Sequence, residues 1–263
     1  MNILDFHKKK QKHEKISMIT CYDYTSARIA ANTSVNCLLV GDSVAMIMHG
    51  FKDTLSATLE MMCFHTAAVS RGAGDKFIVS DLPFLSYRKS LSKNVSATQA
   101  LFQAGAHAVK LECVAGNEKL IKHLTESGIP VMGHIGLTPQ FIHVLGGHRV
   151  QGKTEESAQK LKTEALMLQE AGCFAIVLEC VPSQLAKEIT DSLEIPTIGI
   201  GAGPDTDGQV LVLQDLLGLT VDFKPKFVKA FLNGQEQVQN SIEQYVHAIH
   251  SGGFPQHEHC YRN

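Results

Sequence analysis

The sequence lacks a marked excess of either charge. Its 24 lysines and arginines stand against 26 aspartates and glutamates, for a formal net charge of −2. This balance argues against nucleic acid as the main partner, because such proteins carry a basic electrostatic footprint. The basic stretch at residues 1–15 lacks the apolar core of a signal peptide. We expect it to form a surface helix against one end of the domain; a basic targeting or nucleic-acid-binding tail is the alternative.

Long apolar runs, paired cysteines and flexible linkers are also missing. No apolar run approaches the roughly 18 residues of a membrane helix, so we expect no membrane association. The 7 cysteines are odd in number, form no CxxC motif and lie partly in apolar runs. They are typical of reduced thiols in a reducing compartment, not of a disulfide framework. Without a linker rich in Gly, Ser or Pro, residues 1–263 are expected to form one domain.

What the sequence does contain is a series of short apolar runs that each end in a polar residue or glycine. These runs are 38–40 before Asp42, 77–80 before Asp81, 129–132 before His134, 175–178 before Glu179, and 195–198 before Gly199, Gly201 and Gly203. Helical patterns separate them. Alternation of strands and helices predicts a parallel sheet with helices outside.

The run Val109-Lys110-Leu111-Glu112-Cys113 is the most informative of the series. Side chains alternate between the two faces of a strand, so Lys110 and Glu112 point the same way. Burying an ionisable group without a partner costs several kcal/mol, on the order of the stability of a small domain. An edge strand with one wet face would avoid that cost. A strand whose inner face ends in an active site is the interpretation that the other runs favour.

We predict a single (β/α)8 TIM barrel with an N-terminal helix and extra C-terminal helices. The 263 residues are close to the roughly 250 that this fold needs. A doubly wound open sheet would require its glycine-rich turn after the first strand, whereas the glycines here come late. The eighth strand is expected at 210–214, and the last two helices at 226–232 and 238–251.

Catalytic groups of such barrels lie at the carboxyl ends of the strands. The ionisable residues expected at this mouth are Asp42, Asp81, Lys110, Glu112, His134 and Glu179. Four carboxylates in one small mouth repel each other, so either some are protonated or a cation lies among them. Oxygen ligands indicate Mg²⁺ or a similar hard ion. Three carboxylates would then be ligands, leaving one free to move protons.

The ordered set of motifs resembles the ketopantoate hydroxymethyltransferase family. The motifs include Gly41-Asp42-Ser43, Asp81-Leu82-Pro83-Phe84, Val109-Lys110-Leu111-Glu112, Gly133-His134-Ile135-Gly136-Leu137-Thr138-Pro139-Gln140 and Leu178-Glu179-Cys180-Val181-Pro182. Each motif alone is weak, but their order from about Thr20 onward is specific. The chain departs from the family at Cys113 and Val114, where two glycines are common, and at 146–149, where an aromatic residue and a lysine are usual.

The resemblance implies a Mg²⁺-dependent cytoplasmic barrel enzyme of pantothenate synthesis, usually a homodecamer. It would act on small molecules, transferring a one-carbon unit from 5,10-methylenetetrahydrofolate to 3-methyl-2-oxobutanoate to give 2-dehydropantoate. The implied roles are metal and substrate binding for Asp42 and Asp81, metal association for Glu112, substrate contact for Ser43 and Lys110, and general base for Glu179. His134 is expected to be a hydrogen-bonded neighbour of these groups or a substrate contact.

Several alternatives remain open from the residues alone. Lys110 would be a Schiff-base nucleophile in some barrel aldolases, although crowded carboxylates keep an amine protonated. The glycines at 199–203 would suit a phosphate cradle or close packing. Histidines and a cysteine in the tail at 254–263 suggest zinc or an interface segment. At the level of function, the rivals are a Mg²⁺-dependent carbon–carbon lyase acting on 2-oxo acids and a non-catalytic barrel.

Overall fold

Eight parallel strands close into a barrel in the computed structural model, which describes residues 1–220 and 225–261. The strands are β1 (Ile16–Thr20), β2 (Cys37–Val40), β3 (Phe77–Asp81), β4 (Ala108–Glu112), β5 (Val131–Gly136), β6 (Ala175–Glu179), β7 (Thr197–Ile200) and β8 (Gly208–Leu211). Each strand pairs with the next in sequence, and β8 pairs with β1 to close the barrel. The predicted fold class is therefore confirmed.

Helices alternate with these strands. In the described residues they are α1 (Ile3–Gln11), α2 (Tyr24–Ala31), α3 (Val44–Ile47), α4 (Leu59–Gly72), α5 (Leu91–Gln103), α6 (Glu118–Glu126), α7 (Ile142–Leu145), α8 (Glu155–Glu170), α9 (Ser183–Ser192), α10 (Leu213–Leu216) and α11 (Gly234–His250). Short 3₁₀ turns lie at Thr54–Ser56, Pro139–Phe141 and His257–His259. No helix within the described ranges is long and apolar enough to cross a bilayer.

The chain divides into two compact units, Met1–Val212 and Leu213–Asn263. The first unit contains the whole barrel. In the second, the expected helix at 238–251 is confirmed and begins earlier, at Gly234. The expected helix at 226–232 is wrong, because Phe231 N–H donates to the Leu216 carbonyl instead of to its own preceding turn. A single domain over 1–263 stays a prediction.

The eighth strand begins two residues earlier than expected, at Gly208, and ends at Leu211. A side chain at Gly208 would lie 2.5 Å from the Ile16 carbonyl oxygen, so only glycine allows β8 to approach β1 so closely. The strand ends early because α10 begins at Leu213. The expectation of 210–214 therefore identified the strand but misplaced its ends.

Two apolar cores hold the first unit together. The larger one lies between the strands and the helices, and the smaller one fills the barrel interior. Interior residues follow the strand period of two, as in Phe77 and Val79 on β3 and Ala175 and Val177 on β6. The same period continues into Asp81 and Glu179 at the strand ends. The polar mouth is thus the last layer of an otherwise apolar interior.

Helix α1 closes the opposite end of the barrel. Phe6 is fully buried, and its ring packs edge-on against Phe77 and Phe174 with centroid separations of 5.5 and 5.2 Å. Lys10 Nζ lies 2.8 Å from Asp207 Oδ2, just before β8. Burying Phe6 contributes about 2–3 kcal/mol. The predicted surface helix against one end of the domain is confirmed at Ile3–Gln11, and Lys10 contributes to its packing.

Candidate active site

The predicted ionisable residues meet at the carboxyl ends of the strands. Asp81, Glu112 and Glu179 are the last residues of β3, β4 and β6. Lys110 and His134 point inward from β4 and β5 beside them. Five of the six predicted groups are buried, whereas the Glu179 side chain is 18% exposed.

Asp42, Asp81 and Lys110 form one half of the site. Lys110 Nζ lies 3.1 Å from Asp81 Oδ1, and Asp81 Oδ2 accepts a hydrogen bond of 3.1 Å from the Asp42 backbone N–H. Burial alone lowers the pKa of Lys110, but the negative charges of Asp81, Asp42 and Glu112 outweigh it and raise that pKa above its ordinary value. Lys110 is therefore a protonated amine, which argues against the Schiff-base alternative.

The Asp42 carboxyl is in an environment that disfavours its charge. Burial, followed by the charges of Asp81 and Glu112, raises its pKa well above the ordinary value, and Lys110 and a Gln140 hydrogen bond only partly oppose this. A bound cation would remove the penalty by pairing with the carboxylates. This is the property expected of a metal-binding aspartate.

His134 joins the two halves of the site. Its Nδ1 lies 3.4 Å from Glu112 Oε1, and its Nε2 lies 3.3 Å from Glu179 Oε2. Burial and the nearby Lys110 lower the pKa of His134, but the contacts with the two glutamates exceed them and raise it to about 9. A pKa of about 9 favours the charged ring in the metal-free protein, although Lys110 Nζ lies 3.3 Å from Nδ1 and opposes it. The structure places His134 beside Glu112, Glu179 and Lys110, and its role there stays a prediction.

The chain turns sharply after each of the two glutamates. Cys113 follows Glu112 with φ 62°, and Cys180 follows Glu179 with φ 49°. A left-handed conformation costs a non-glycine residue roughly 1–2 kcal/mol. This accounts for the glycine that the resembled family commonly has at position 113; here a cysteine carries the strain.

Ser43 is held by a tyrosine to which the sequence assigned no role. The Tyr22 hydroxyl and Ser43 Oγ are 2.7 Å apart, and Tyr22 is buried. His65 Nδ1 lies 2.6 Å from the Tyr22 carbonyl oxygen and fixes the backbone there. Asp23 caps α2 by accepting from the Ser26 N–H at 2.8 Å. Of the neighbouring residues Tyr22 and Asp23, only Tyr22 contacts a residue of the site.

Gln140 is a further site residue that sequence reasoning missed. It is buried, and it contacts Asp42 through its side chain and Glu112 through its backbone N–H. The sequence offered one signal, the position of Gln140 at the end of the motif that begins at Gly133. The residue type of an uncharged glutamine does not indicate whether it is buried, so nothing else in the sequence pointed to Gln140.

The glycines in and after β7 are explained by close packing. A side chain at Gly199 would lie 2.6 Å from Thr206 Oγ1, and one at Gly203 would lie 2.5 Å from Ser183 Cβ. These contacts leave the phosphate cradle without support. In the tail, whose residues 262 and 263 lie outside the described part, the His259 ring stacks edge-on with Phe254 at 5.0 Å.

The residues at the mouth fit a magnesium ion held by two aspartates. Within 1–220 and 225–261, no three His, Cys, Asp or Glu side chains take up a ready metal-ligating arrangement. Asp42 and Asp81 are nevertheless adjacent, and Asp81 Oδ1 is buried with no hydrogen bond besides the facing Lys110 ammonium. Mg²⁺ is commonly bound by one or two carboxylates, with water and substrate oxygens completing an octahedron. The Glu112 oxygens are engaged by His134 and Gln140, so its direct ligation stays a prediction.

Comparison with known proteins gives consistent matches over nearly the whole chain. A family model described as ketopantoate hydroxymethyltransferase matches residues 1–257. The chain is 58% identical over 259 residues to 3-methyl-2-oxobutanoate hydroxymethyltransferase of Bdellovibrio bacteriovorus, covering 98% of both chains. It is 56% identical to the enzyme of that name from Francisella tularensis, covering 99% of this chain and 98% of the relative.

Solved structures of lower identity share the fold. A phosphonopyruvate hydrolase in complex with oxalate and Mg²⁺ superposes with a TM-score of 0.63 at 9% identity, covering 98% of this chain and 93% of the other. A 2,3-dimethylmalate lyase of the PEP mutase/isocitrate lyase superfamily superposes with a TM-score of 0.60 at 15% identity, covering 96% and 89%. At such identities the likeness concerns the barrel alone.

Proposed function

Because this chain belongs to the ketopantoate hydroxymethyltransferase family, we propose that it transfers a hydroxymethyl group to 3-methyl-2-oxobutanoate at the mouth of its barrel. The predicted family and enzyme class are confirmed by the full-length matches. The one-carbon donor is 5,10-methylenetetrahydrofolate and the product is 2-dehydropantoate. The observation that carries the mechanism is the single buried cluster in which three carboxylates surround one ammonium.

Asp42 and Asp81 would hold the Mg²⁺, with Glu112 at the edge of the same cluster. When bound, the ion polarises the 2-oxo group of the substrate and makes the C3 hydrogen more acidic. Lys110 places a fixed positive charge beside the substrate carboxylate or the developing enolate oxygen. Ser43, oriented by the Tyr22 hydroxyl, contacts the substrate at the start of α3.

Glu179 is the base that removes the C3 proton. It is the most exposed carboxylate of the predicted set. Its Oε2 lies 3.3 Å from His134 Nε2, and this contact orients the carboxylate. The Glu112 carboxylate fixes the opposite side of the imidazole. Glu179 is thus oriented without being tied to the Asp42–Asp81 pair. The enolate carbon then bonds to the methylene carbon of the folate. Over the whole reaction both methylene C–N bonds break, water supplies the hydroxyl oxygen, and tetrahydrofolate leaves.

The assembly and location follow the family resemblance. We propose a cytoplasmic homodecamer acting on small molecules. Helix α11 supports self-association, because it exposes the large apolar residues Val238, Ile242, Tyr245 and Ile249, which recur every three or four positions along one face. Light scattering coupled to size-exclusion chromatography gives the mass directly. A monomer at micromolar concentration would contradict this part of the proposal.

The proposed function is tested by product formation. The purified protein, given 3-methyl-2-oxobutanoate, 5,10-methylenetetrahydrofolate and Mg²⁺, is expected to form 2-dehydropantoate. EDTA is expected to abolish turnover and excess Mg²⁺ to restore it. Turnover that persists after exhaustive chelation would remove the metal from the mechanism. Cleavage of a 2-oxo acid without one-carbon transfer would instead favour the carbon–carbon lyase.

A further inference from the structure

Gln140 lies at the mouth of the barrel, where it donates hydrogen bonds to both the Asp42 and the Glu112 carboxylates. It lies in the 3₁₀ turn Pro139–Phe141 that follows β5, and only 4% of its surface is exposed. We propose that Gln140 is a positioning residue that fixes the Asp42 and Glu112 carboxylates relative to each other and thereby sets the affinity of the mouth for its divalent cation. The inference rests on the proposed metal site.

All polar atoms of the Gln140 side chain are used. Its Nε2 donates to Asp42 Oδ2 at 2.7 Å and to the Leu82 carbonyl oxygen at 3.0 Å. Its Oε1 accepts from the Tyr87 hydroxyl at 2.7 Å. With the amide reversed, a carbonyl oxygen would face the Asp42 carboxylate and the Leu82 carbonyl, which are both acceptors. One orientation of the amide therefore satisfies its surroundings.

The Gln140 backbone reaches the second carboxylate. Its N–H donates to Glu112 Oε2 at 3.0 Å. Asp42 follows β2 and Glu112 ends β4, so one residue bonds carboxylates from two separate strands. The backbone directly after Glu112 is also fixed, because Asn117 Nδ2 donates to the Cys113 carbonyl at 2.9 Å. Gln140 is thus a bridge between two parts of the cluster that electrostatic repulsion would otherwise separate.

Tyr87 keeps the bridge in its orientation. Its side chain is buried, and burial raises the pKa of its hydroxyl above the ordinary value, so it remains a neutral donor. The Tyr87 hydroxyl is 3.5 Å from the Glu112 carbonyl and 2.7 Å from Gln140 Oε1, which makes the amide its main partner. Losing this donor would leave the Gln140 amide free to turn.

The hydrogen bond to Oδ2 determines how Asp42 is presented to a cation. It holds one carboxylate oxygen and leaves the other free to face the ion. Without it, the Asp42 carboxylate would lose this fixed orientation and would be free to respond to the positive charge of Lys110. A charge-assisted hydrogen bond between buried groups is a strong one, so we expect its loss to weaken Mg²⁺ binding about tenfold.

The test compares Mg²⁺ dissociation constants by isothermal titration calorimetry. Gln140→Leu removes the amide at similar volume but keeps the backbone N–H to Glu112. Tyr87→Phe removes only the donor that orients the amide. Gln169→Leu is the matched control, because Gln169 Oε1 accepts from the Glu194 and Ile195 N–H groups near the start of β7, at the other end of the barrel.

Gln140→Leu is expected to bind Mg²⁺ about tenfold more weakly than the unmodified protein, Tyr87→Phe about threefold more weakly, and Gln169→Leu equally well. Saturating Mg²⁺ is expected to restore most of kcat in Gln140→Leu, which a merely structural defect would not allow. Unfolding midpoints in EDTA check that Gln140→Leu is folded.

The outcomes separate this inference from the proposed function. If the unmodified protein binds Mg²⁺ and Gln140→Leu binds it equally well or more tightly, the positioning role is overturned while the metal site stands. If both glutamine variants weaken binding alike, the effect is general destabilisation and the inference fails. If the unmodified protein binds no Mg²⁺, the metal site itself fails, and this inference fails with it.

Discussion

Replacing Lys110 by methionine is expected to destabilise the metal-free protein more than any substitution at a surface ion pair. The methionine matches the lysine stem but leaves Asp81, Asp42 and Glu112 without their central cation. Removing one partner of a buried pair costs about 3–5 kcal/mol, because the remaining charge is left uncompensated. With several carboxylates around Lys110, we expect a loss in the free energy of unfolding near the upper end of that range.

The pH dependence of this loss has a definite sign. The folded-state pKa of Lys110 is raised above its unfolded value of 10.5. Titration of Lys110 itself therefore does not reduce its stabilisation below about pH 10.5, and the stabilisation is lost as the pH rises through the folded-state pKa. The difference between the two proteins should consequently be complete at pH 7. It should shrink in acid, where the carboxylates of the variant are protonated.

Urea unfolding with EDTA and with saturating Mg²⁺ measures the effect. Mg²⁺ is expected to stabilise the Lys110→Met protein, because the ion supplies positive charge to the same carboxylates. Lys10→Met is the matched control: it removes the 2.8 Å ion pair with Asp207 at the other end of the barrel, where side chains are 15% and 13% exposed. We expect the control to lose less, about 1–2 kcal/mol, because both side chains keep some contact with water and Asp207 still accepts from the Thr197 N–H, and we expect no Mg²⁺ dependence. Equal losses in the two variants would refute the reasoning.

Three further predictions follow from single contacts. Tyr22→Phe, which frees the Ser43 hydroxyl, is expected to raise KM for the oxo acid about fivefold, as the loss of about 1 kcal/mol implies. Cys113→Gly is expected to be about 1 kcal/mol more stable to urea than Cys113→Ala, because φ is 62°; a less stable glycine variant would contradict the strain. His134 has a folded-state pKa of about 9 against an ordinary 6.5, so its stabilisation of the metal-free protein is complete below pH 6.5 and lost toward pH 9, by about 3 kcal/mol, and a flat profile would contradict this.

The parts of the fold that follow a local pattern could be predicted from the sequence. Alternating strands and helices indicated the barrel, and polar residues at the strand ends indicated Asp81, Glu112 and Glu179, because the period of two projects the interior face into the mouth. The helix expected at 226–232 failed because its backbone bonds to residues near α10, a contact that no local pattern records.

The uncharged residues of the site were beyond prediction for a different reason. Gln140 and Tyr87 matter because tertiary contacts bury them and aim them at the carboxylates, whereas their residue types are equally common on surfaces. An ionisable residue within an apolar run can be recognised from the sequence, because its burial is costly and therefore indicates a function. Amides and phenols carry no such cost when they are hydrogen-bonded, so only coordinates reveal them.

The proposed mechanism requires Glu179 to act as a base beside a cation-binding cluster, and proton exchange at the substrate tests this directly. Incubated in deuterated solvent with Mg²⁺ and no folate, the protein is expected to exchange the C3 hydrogen of 3-methyl-2-oxobutanoate, as followed by proton NMR. Glu179→Gln is expected to bind the oxo acid but to lose most of the exchange, and EDTA to stop exchange in the unmodified protein. Full exchange in Glu179→Gln, or undiminished exchange in EDTA, would contradict the account.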